Sequence, residues 1–482
     1  MAFISVEFIA FFIVVLCLYW TVGLGSAIRQ NIILLLAGLF FYGWADLRFL
    51  ALIIFSAGAN YGLGVAIEKA KDDTPRRLWL WTGIILNIGL LGYFKYFSFF
   101  YDSFVDALNL VGGHHGHLVL AIALPLGISY YTFQVTGYLI DVFNGTSDAC
   151  RKPIHFLTYV LHFPKMLAGP VEPARDFLPR IEKARTFDPA MTSDALRQIL
   201  WGVFAKVVIA DNCATMVNPV FKNMEWFHGS TLFIGAMLYL IQLFADFSGY
   251  SNMAIGLSKL FGIPLMVNFR APLFVTNIGE FWRKWHISLT TWMMEYVFTP
   301  LSFLLREKGR TGLAISILAT FLAVGIWHGA NWTFIIFGLL QGLYFLPLVF
   351  KGTLLRSIPL PNVRNKRFAK SRHIGAMIGM FVLMSITFVL VRAPTLGEAW
   401  KYWANMLSPS LLASPEYTLD GTFFMIALFL FIEYRSRTRD HALASDGRPR
   451  SWVIRWAWFS FILFLIGMYA STHEAAFIYF KF

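Results

Sequence analysis

The chain has 482 residues, of which 57% are hydrophobic and only 14% charged, with 49 Phe and 16 Trp; this composition excludes a soluble globular domain. Its formal net charge is +13, which by itself would suit nucleic acid. The basic residues, however, stand in blocks between apolar segments rather than along one amphipathic face, which argues against a nucleic-acid partner and matches the positive-inside pattern of a chain embedded in a bilayer.

From the N-terminus, apolar runs long enough to cross a hydrocarbon core lie at roughly 6–22, 30–44, 49–66, 79–98, 118–142, 194–213, 231–247, 312–327, 332–350, 374–392, 422–434 and 452–470. They predict an all-α polytopic membrane protein of about ten to twelve crossings, the lower figure applying if short runs such as 30–44 and 422–434 tilt or re-enter. The first run is expected to stay as a helix, because Met1 to Glu7 carries no basic residue and no small-x-small cleavage site follows. The basic blocks Lys69–Arg77, Arg151–Lys152, Lys183–Arg185, Arg306–Arg310, Lys351–Arg372 and Arg435–Arg450 all fall on the cytoplasmic side of a twelve-crossing count, with both termini outside. Without internal repeats or a soluble-sized insertion, residues 1–482 read as one membrane domain, its motifs concentrated at about 120–350. Cys17, Cys150 and Cys213 have neither disulfide nor metal spacing and are assigned no chemistry.

Residues 150–190 and 246–310 mix Pro, Gly, charge and aromatics at a density that a lipid-facing helix would not tolerate, so they are expected to be re-entrant, interfacial or enclosed by protein. Within 276–296, one helical stretch would set Arg283, Lys284 and His286 among Phe281, Trp282, Trp285 and Trp292. The same composition suits an interfacial helix with its tryptophans at headgroup level and its cations snorkelling. A second polar point, Trp327-His328-Gly329-Ala330-Asn331, interrupts two apolar runs. An ionisable residue there either marks a functional path or is a hydrogen-bonded packing residue. Asp246, inside another apolar run, reads as structural or tunnel-lining. His114, His115 and His117 stand in a Gly-rich outer loop without an acidic or thiolate neighbour, so no metal is assigned. No phosphate-cradling Gly-rich loop supports ATP or NAD use.

Several stretches taken together are more specific than any one of them. They are Leu124-Pro125-Leu126-Gly127-Ile128-Ser129-Tyr130-Tyr131-Thr132-Phe133-Gln134, Phe163-Pro164-Lys165-Met166-Leu167-Ala168-Gly169-Pro170, Lys206-Val207-Val208-Ile209-Ala210-Asp211-Asn212, Asp246-Phe247-Ser248-Gly249-Tyr250-Ser251, Glu280-Phe281-Trp282-Arg283-Lys284-Trp285-His286-Ile287-Ser288-Leu289 and Trp327-His328-Gly329. In this order, and over nearly the whole chain, they resemble the membrane-bound O-acyltransferase family, in its alginate O-acetylation branch. The resemblance implies transmembrane, re-entrant and interfacial helices around a central tunnel. It matches His328 to the family's essential histidine and His286 to its second functional polar position. An alcohol is a poor nucleophile until a base takes its proton, and imidazole is suited to that near neutrality. His328 is thus the expected general base. His286, with Arg283 or Asn331, is expected to orient the acceptor or to stabilise the oxyanion of the tetrahedral intermediate. Where the branch usually reads Trp-Phe-Arg-Asp-Tyr and then Pro-Leu-Gly-Gly-Asn-Arg, this chain has Trp292-Met293-Met294-Glu295-Tyr296 and Pro300-Leu301-Ser302-Phe303-Leu304-Leu305-Arg306. These departures bear on acyl-donor contacts and substrate identity, not on the reaction class.

The resemblance further implies acetyl-CoA as acyl donor without a bound cofactor, a bacterial inner-membrane location, and a periplasmic SGNH-type acyltransferase that passes the acyl group to a polysaccharide. D-alanyl transfer to teichoic acid, or transport without covalent chemistry, are the alternatives. The loop with Arg306, Lys308 and Arg310 is expected to line the entrance for the anionic end of CoA and Asp246 to line the tunnel. The tail Phe477-Ile478-Tyr479-Phe480-Lys481-Phe482 resembles a short aromatic motif in which a tyrosine is proposed as an acyl relay, making Tyr479 the candidate; an aromatic membrane anchor is the alternative.

Overall fold

A computed structural model describes residues 1–112, 116, 122–167, 169–354, 366–418, 420–445 and 451–470. The described residues form helices and connecting turns, with no strand among them. Nine of these helices are long and apolar enough to cross a membrane, from Ala27–Ala45 to Trp452–Tyr469, and the apolar helix Val6–Thr21 is a shorter tenth. The chain is therefore a multi-pass all-α membrane protein. The run 30–44, short by its apolar residues, is extended by Ala27, Ile28, Arg29 and Ala45 into a full-length helix. The run 118–142 is not a single span of that length. Pro125 and Gly127 delay the helix to Ile128–Asn144, and Gly145, at φ 71°, ends it. That helix is buried around nearly its whole circumference, so it packs among protein rather than lipid.

The contacts divide the chain into two compact units, residues 1–193 with 257–266, and residues 194–256 with 267–482. In the first, the segment expected to avoid lipid becomes three short helices, Pro153–Val160, Phe163–Met166 and Ala174–Glu182. Three of its buried charges have identifiable neighbours. Lys165 Nζ lies 3.9 Å from the centre of the Tyr159 ring and 4.3 Å from that of Phe177, and Glu172 pairs with Arg180 at 2.6 Å. Arg185 donates to Tyr19 Oη at 2.7 Å and to Asn31 Oδ1 at 2.8 Å. This accounts for a buried amide within the apolar helix Ala27–Ala45, since polar groups away from water need partners.

The second unit holds most of Pro189–Lys222 and Gly229–Leu260, together with every helix from Ile278–Lys284 to Trp452–Tyr469. Helices Gly309–His328 and Trp332–Phe350 form a hairpin. A Cβ on Gly325 would stand 2.3 Å from the carbonyl oxygen of Phe334 and 3.1 Å from Gly338 Cα, so only glycine allows this approach. The tight hairpin fixes His328, the last residue of its first helix.

Candidate active site

The segment expected as one helix over 276–296 is instead broken at its histidine. Asn277 caps Ile278–Lys284 by accepting from the Glu280 N–H at 2.8 Å, while the Glu280 carboxylate reaches back to the Thr276 N–H at 3.1 Å. This reciprocal pattern starts a helix firmly. The next helix, Ile287–Met293, begins after His286, whose φ of 44° and ψ of 55° are left-handed. A residue with a Cβ incurs about 1–2 kcal/mol there. Two backbone bonds hold the distortion, from Arg270 N–H to Lys284 O at 3.0 Å and from Ile287 N–H to Asn268 O at 2.9 Å. The interfacial arrangement does not hold for two of the tryptophans. Trp282 and Trp285 are buried, Trp282 donating to Gln341 Oε1 at 3.1 Å and Trp285 packing on Phe281, Phe269 and Phe388.

The strained turn drives the His286 ring into the core, where its exposure is 0%. Nδ1 lies 3.1 Å from Asn268 Oδ1, and Phe247 meets the ring edge-on with centres 4.7 Å apart. The Trp327 indole then touches both imidazoles, its centre 5.6 Å from that of His286 and 5.0 Å from that of His328. His328 is 8% exposed and lies against Phe334 and Phe337. Burial above all, and secondarily the proximity of the His328 imidazole, hold His286 well below the usual histidine range, which favours its neutral form. Two imidazoles grouped around one indole in an aromatic enclosure can accept and pass a proton while excluding bulk water.

The other sequence candidates are not brought to this point. Arg283 is exposed, on the helix before His286. Asn331 caps Trp332–Phe350, its Oδ1 accepting from the Thr333 N–H at 2.9 Å and its Nδ2 donating to Pro394 O at 2.8 Å. Arg306, Lys308 and Arg310 are exposed at the start of the 20-residue helix that His328 ends, about 30 Å away along its axis. Asp246 meets Lys206 Nζ at 2.9 Å, and the same ammonium meets Asp211 at 2.8 Å, all three fully buried. Lys206 and Asp211 are five residues apart, a spacing that an α-helix would turn to different faces. The π-helical stretch Phe204–Ala210 brings them to one face. Tyr479, and His114, His115 and His117, lie outside the described residues. Among the described residues no group of three or more His, Cys, Asp or Glu converges as a metal site. Asn268, which sequence reasoning did not single out, is the polar centre of the His286 turn.

The pattern of the membrane-bound O-acyltransferase family matches residues 151–391. A probable alginate O-acetylase of Azotobacter vinelandii is 35% identical over 387 residues, 80% of this chain and 74% of that one. A peptidoglycan O-acetyltransferase of Helicobacter pylori is 33% identical over 368 residues, 71% of this chain and 67% of that one. A teichoic acid D-alanyltransferase of Bacillus subtilis is 32% identical over 224 residues, 44% and 56%.

Proposed function

Because the chain belongs to the membrane-bound O-acyltransferase family, we propose that it carries acetyl groups from cytoplasmic acetyl-CoA across a bacterial inner membrane to a cell-surface or exported polysaccharide such as alginate. It is an O-acyltransferase held in the membrane by many helices, and in this reading residues 1–482 act as one catalytic membrane domain around a tunnel. The observation that carries the reading is the meeting of His286 and His328 around Trp327, at the opposite end of a membrane-long helix from a basic loop. His328 takes the proton of the acceptor hydroxyl. The oxygen forms the ester bond as the thioester C–S bond breaks, and the proton passes to the departing thiolate. Acetylation is favoured over D-alanylation by the longer match, 80% of the chain against 44%. A periplasmic SGNH-type enzyme then collects the acyl group. Deleting the chain's gene in its host should remove base-labile acetate from the exported polysaccharide; unchanged acetate would overturn the proposal.

The exposed loop with Arg306, Lys308 and Arg310 receives the anionic nucleotide end of CoA. Reversing all three charges should raise the KM for acetyl-CoA several-fold, and high salt should act the same way on the parent enzyme. An unchanged KM would leave the loop a topology signal only. Tyr479 serves as the acyl relay, so Tyr479→Phe, which keeps the ring and removes its only nucleophilic atom, should abolish polymer acylation at an unchanged membrane level. Full activity would make the tail an anchor.

A further inference from the structure

We propose that Asn268 is a positioning residue that fixes His286 as the tautomer protonated on Nδ1, so that Nε2 meets the reaction centre as a hydrogen-bond acceptor and never as an oxyanion donor. The orientation of the Asn268 amide is set by its other partners. Its Oδ1 lies 3.3 Å from the backbone N–H of Ser288, which can only donate, and it also accepts from Ser288 Oγ at 2.9 Å. Its Nδ2 donates to Ser251 Oγ at 3.0 Å. The atom facing His286 is therefore the oxygen, and an amide oxygen only accepts. Nδ1, 3.1 Å away, must carry the hydrogen. A neutral imidazole has one N–H, which leaves Nε2, on the ring edge away from Asn268, with its lone pair.

This decides between the two tasks open to His286. A lone pair cannot stabilise an oxyanion, but it can hold the acceptor hydroxyl by its hydrogen until His328 takes that proton. Asn268 itself is fully buried and its backbone carbonyl also accepts from the Ile287 N–H, so one residue sets both the position of the ring and its tautomer. The same backbone segment is strained at Ala271, φ 47°, as a segment held by function often is.

The inference rests on the acyltransferase reading, and its test separates the two. The full-length chain in liposomes, labelled with [15N]histidine, should show a His286 ring protonated at Nδ1, assigned by the loss of that signal in His286→Gln. This measurement needs no turnover. With acetyl-CoA as donor and CoA release as readout, Asn268→Ala should lower kcat by about 10-fold or more at every pH, leaving the KM for acetyl-CoA unchanged. Asn268→Asp keeps an oxygen against Nδ1, and its carboxylate favours the imidazolium. Activity should then return at alkaline pH, with the acid limb of the kcat profile displaced upward by about one pH unit or more. A proton on Nε2 in the parent protein, or a folded Asn268→Asp with the parent's pH profile, would overturn the inference. Should either variant fail to fold, the tautomer of the parent protein still decides it. Absence of CoA release by the parent protein bears on the acyltransferase reading alone.

Discussion

His328→Ala should reduce polymer acylation by about 10²–10⁴-fold, the range by which a positioned base accelerates proton transfer, while the protein still inserts at its normal level. The side chain sits at the end of a helix whose packing depends on Gly325 and Gly338 rather than on the imidazole, so its removal takes away chemistry more than structure. His286→Ala is expected to be as damaging, because it removes the ring that Asn268 holds and the partner of Trp327. Base-labile acetate on the polymer, normalised to the membrane level of each variant, measures both. Normal acylation with His328→Ala would remove the catalytic assignment, and a milder loss at His286 would fit a residue that orients the acceptor.

The largest expected effect on stability lies at Lys206. Its ammonium is shared by Asp211 and Asp246 at 2.8 and 2.9 Å, with side-chain exposures of 1–2%. Lys206→Met leaves two buried carboxylates without their counter-charge, and breaking a buried ion pair in this way costs about 3–5 kcal/mol. Replacing all three residues with apolar ones of similar volume should be far milder, since no charge is then stranded. Thermal unfolding in detergent should show a clear loss of Tm for the single variant and recovery in the triple one. Equal damage in both would mean that side-chain shape, not charge balance, governs the site.

The contrast between these two sites shows what could be read in the residues before any coordinates. The polytopic helical architecture was legible because apolar runs longer than a bilayer core leave few alternatives. The pairing of His286 with His328 was legible through the order of the motifs, not through any local pattern. The break at His286 was not, because no glycine or proline stands within 280–296 to mark it, and the left-handed turn is imposed by bonds from Asn268 and Arg270, far back in the chain. Asn268 lies in Met266-Val267-Asn268-Phe269-Arg270, where nothing in the neighbouring residues marks an amide as a hub. The ion triad was half visible. Lys206 and Asp211 stand in the motif 206–212 and Asp246 in the motif 246–251, and charge inside an apolar run is itself a signal, but an i,i+5 pair joins only where the helix widens into a π-turn. Asn331 and Arg283 were grouped with the histidines on proximity in sequence. The helix boundary gives one to a cap and the helix face turns the other outward.

The central claim, covalent acyl transfer across a bilayer, is tested most directly in sealed liposomes containing the purified chain. Acetyl-CoA labelled in its acetyl group is supplied on the face bearing the basic loop, and a soluble glycan with free hydroxyls is placed on the other together with the host's periplasmic SGNH-type acyltransferase. The account predicts free CoA thiol on the donor side and labelled ester on the glycan, in equal amounts, both lost with His328→Ala. Intact acetyl-CoA on the far side without thiol release, or ester formation that survives His328→Ala, would contradict it.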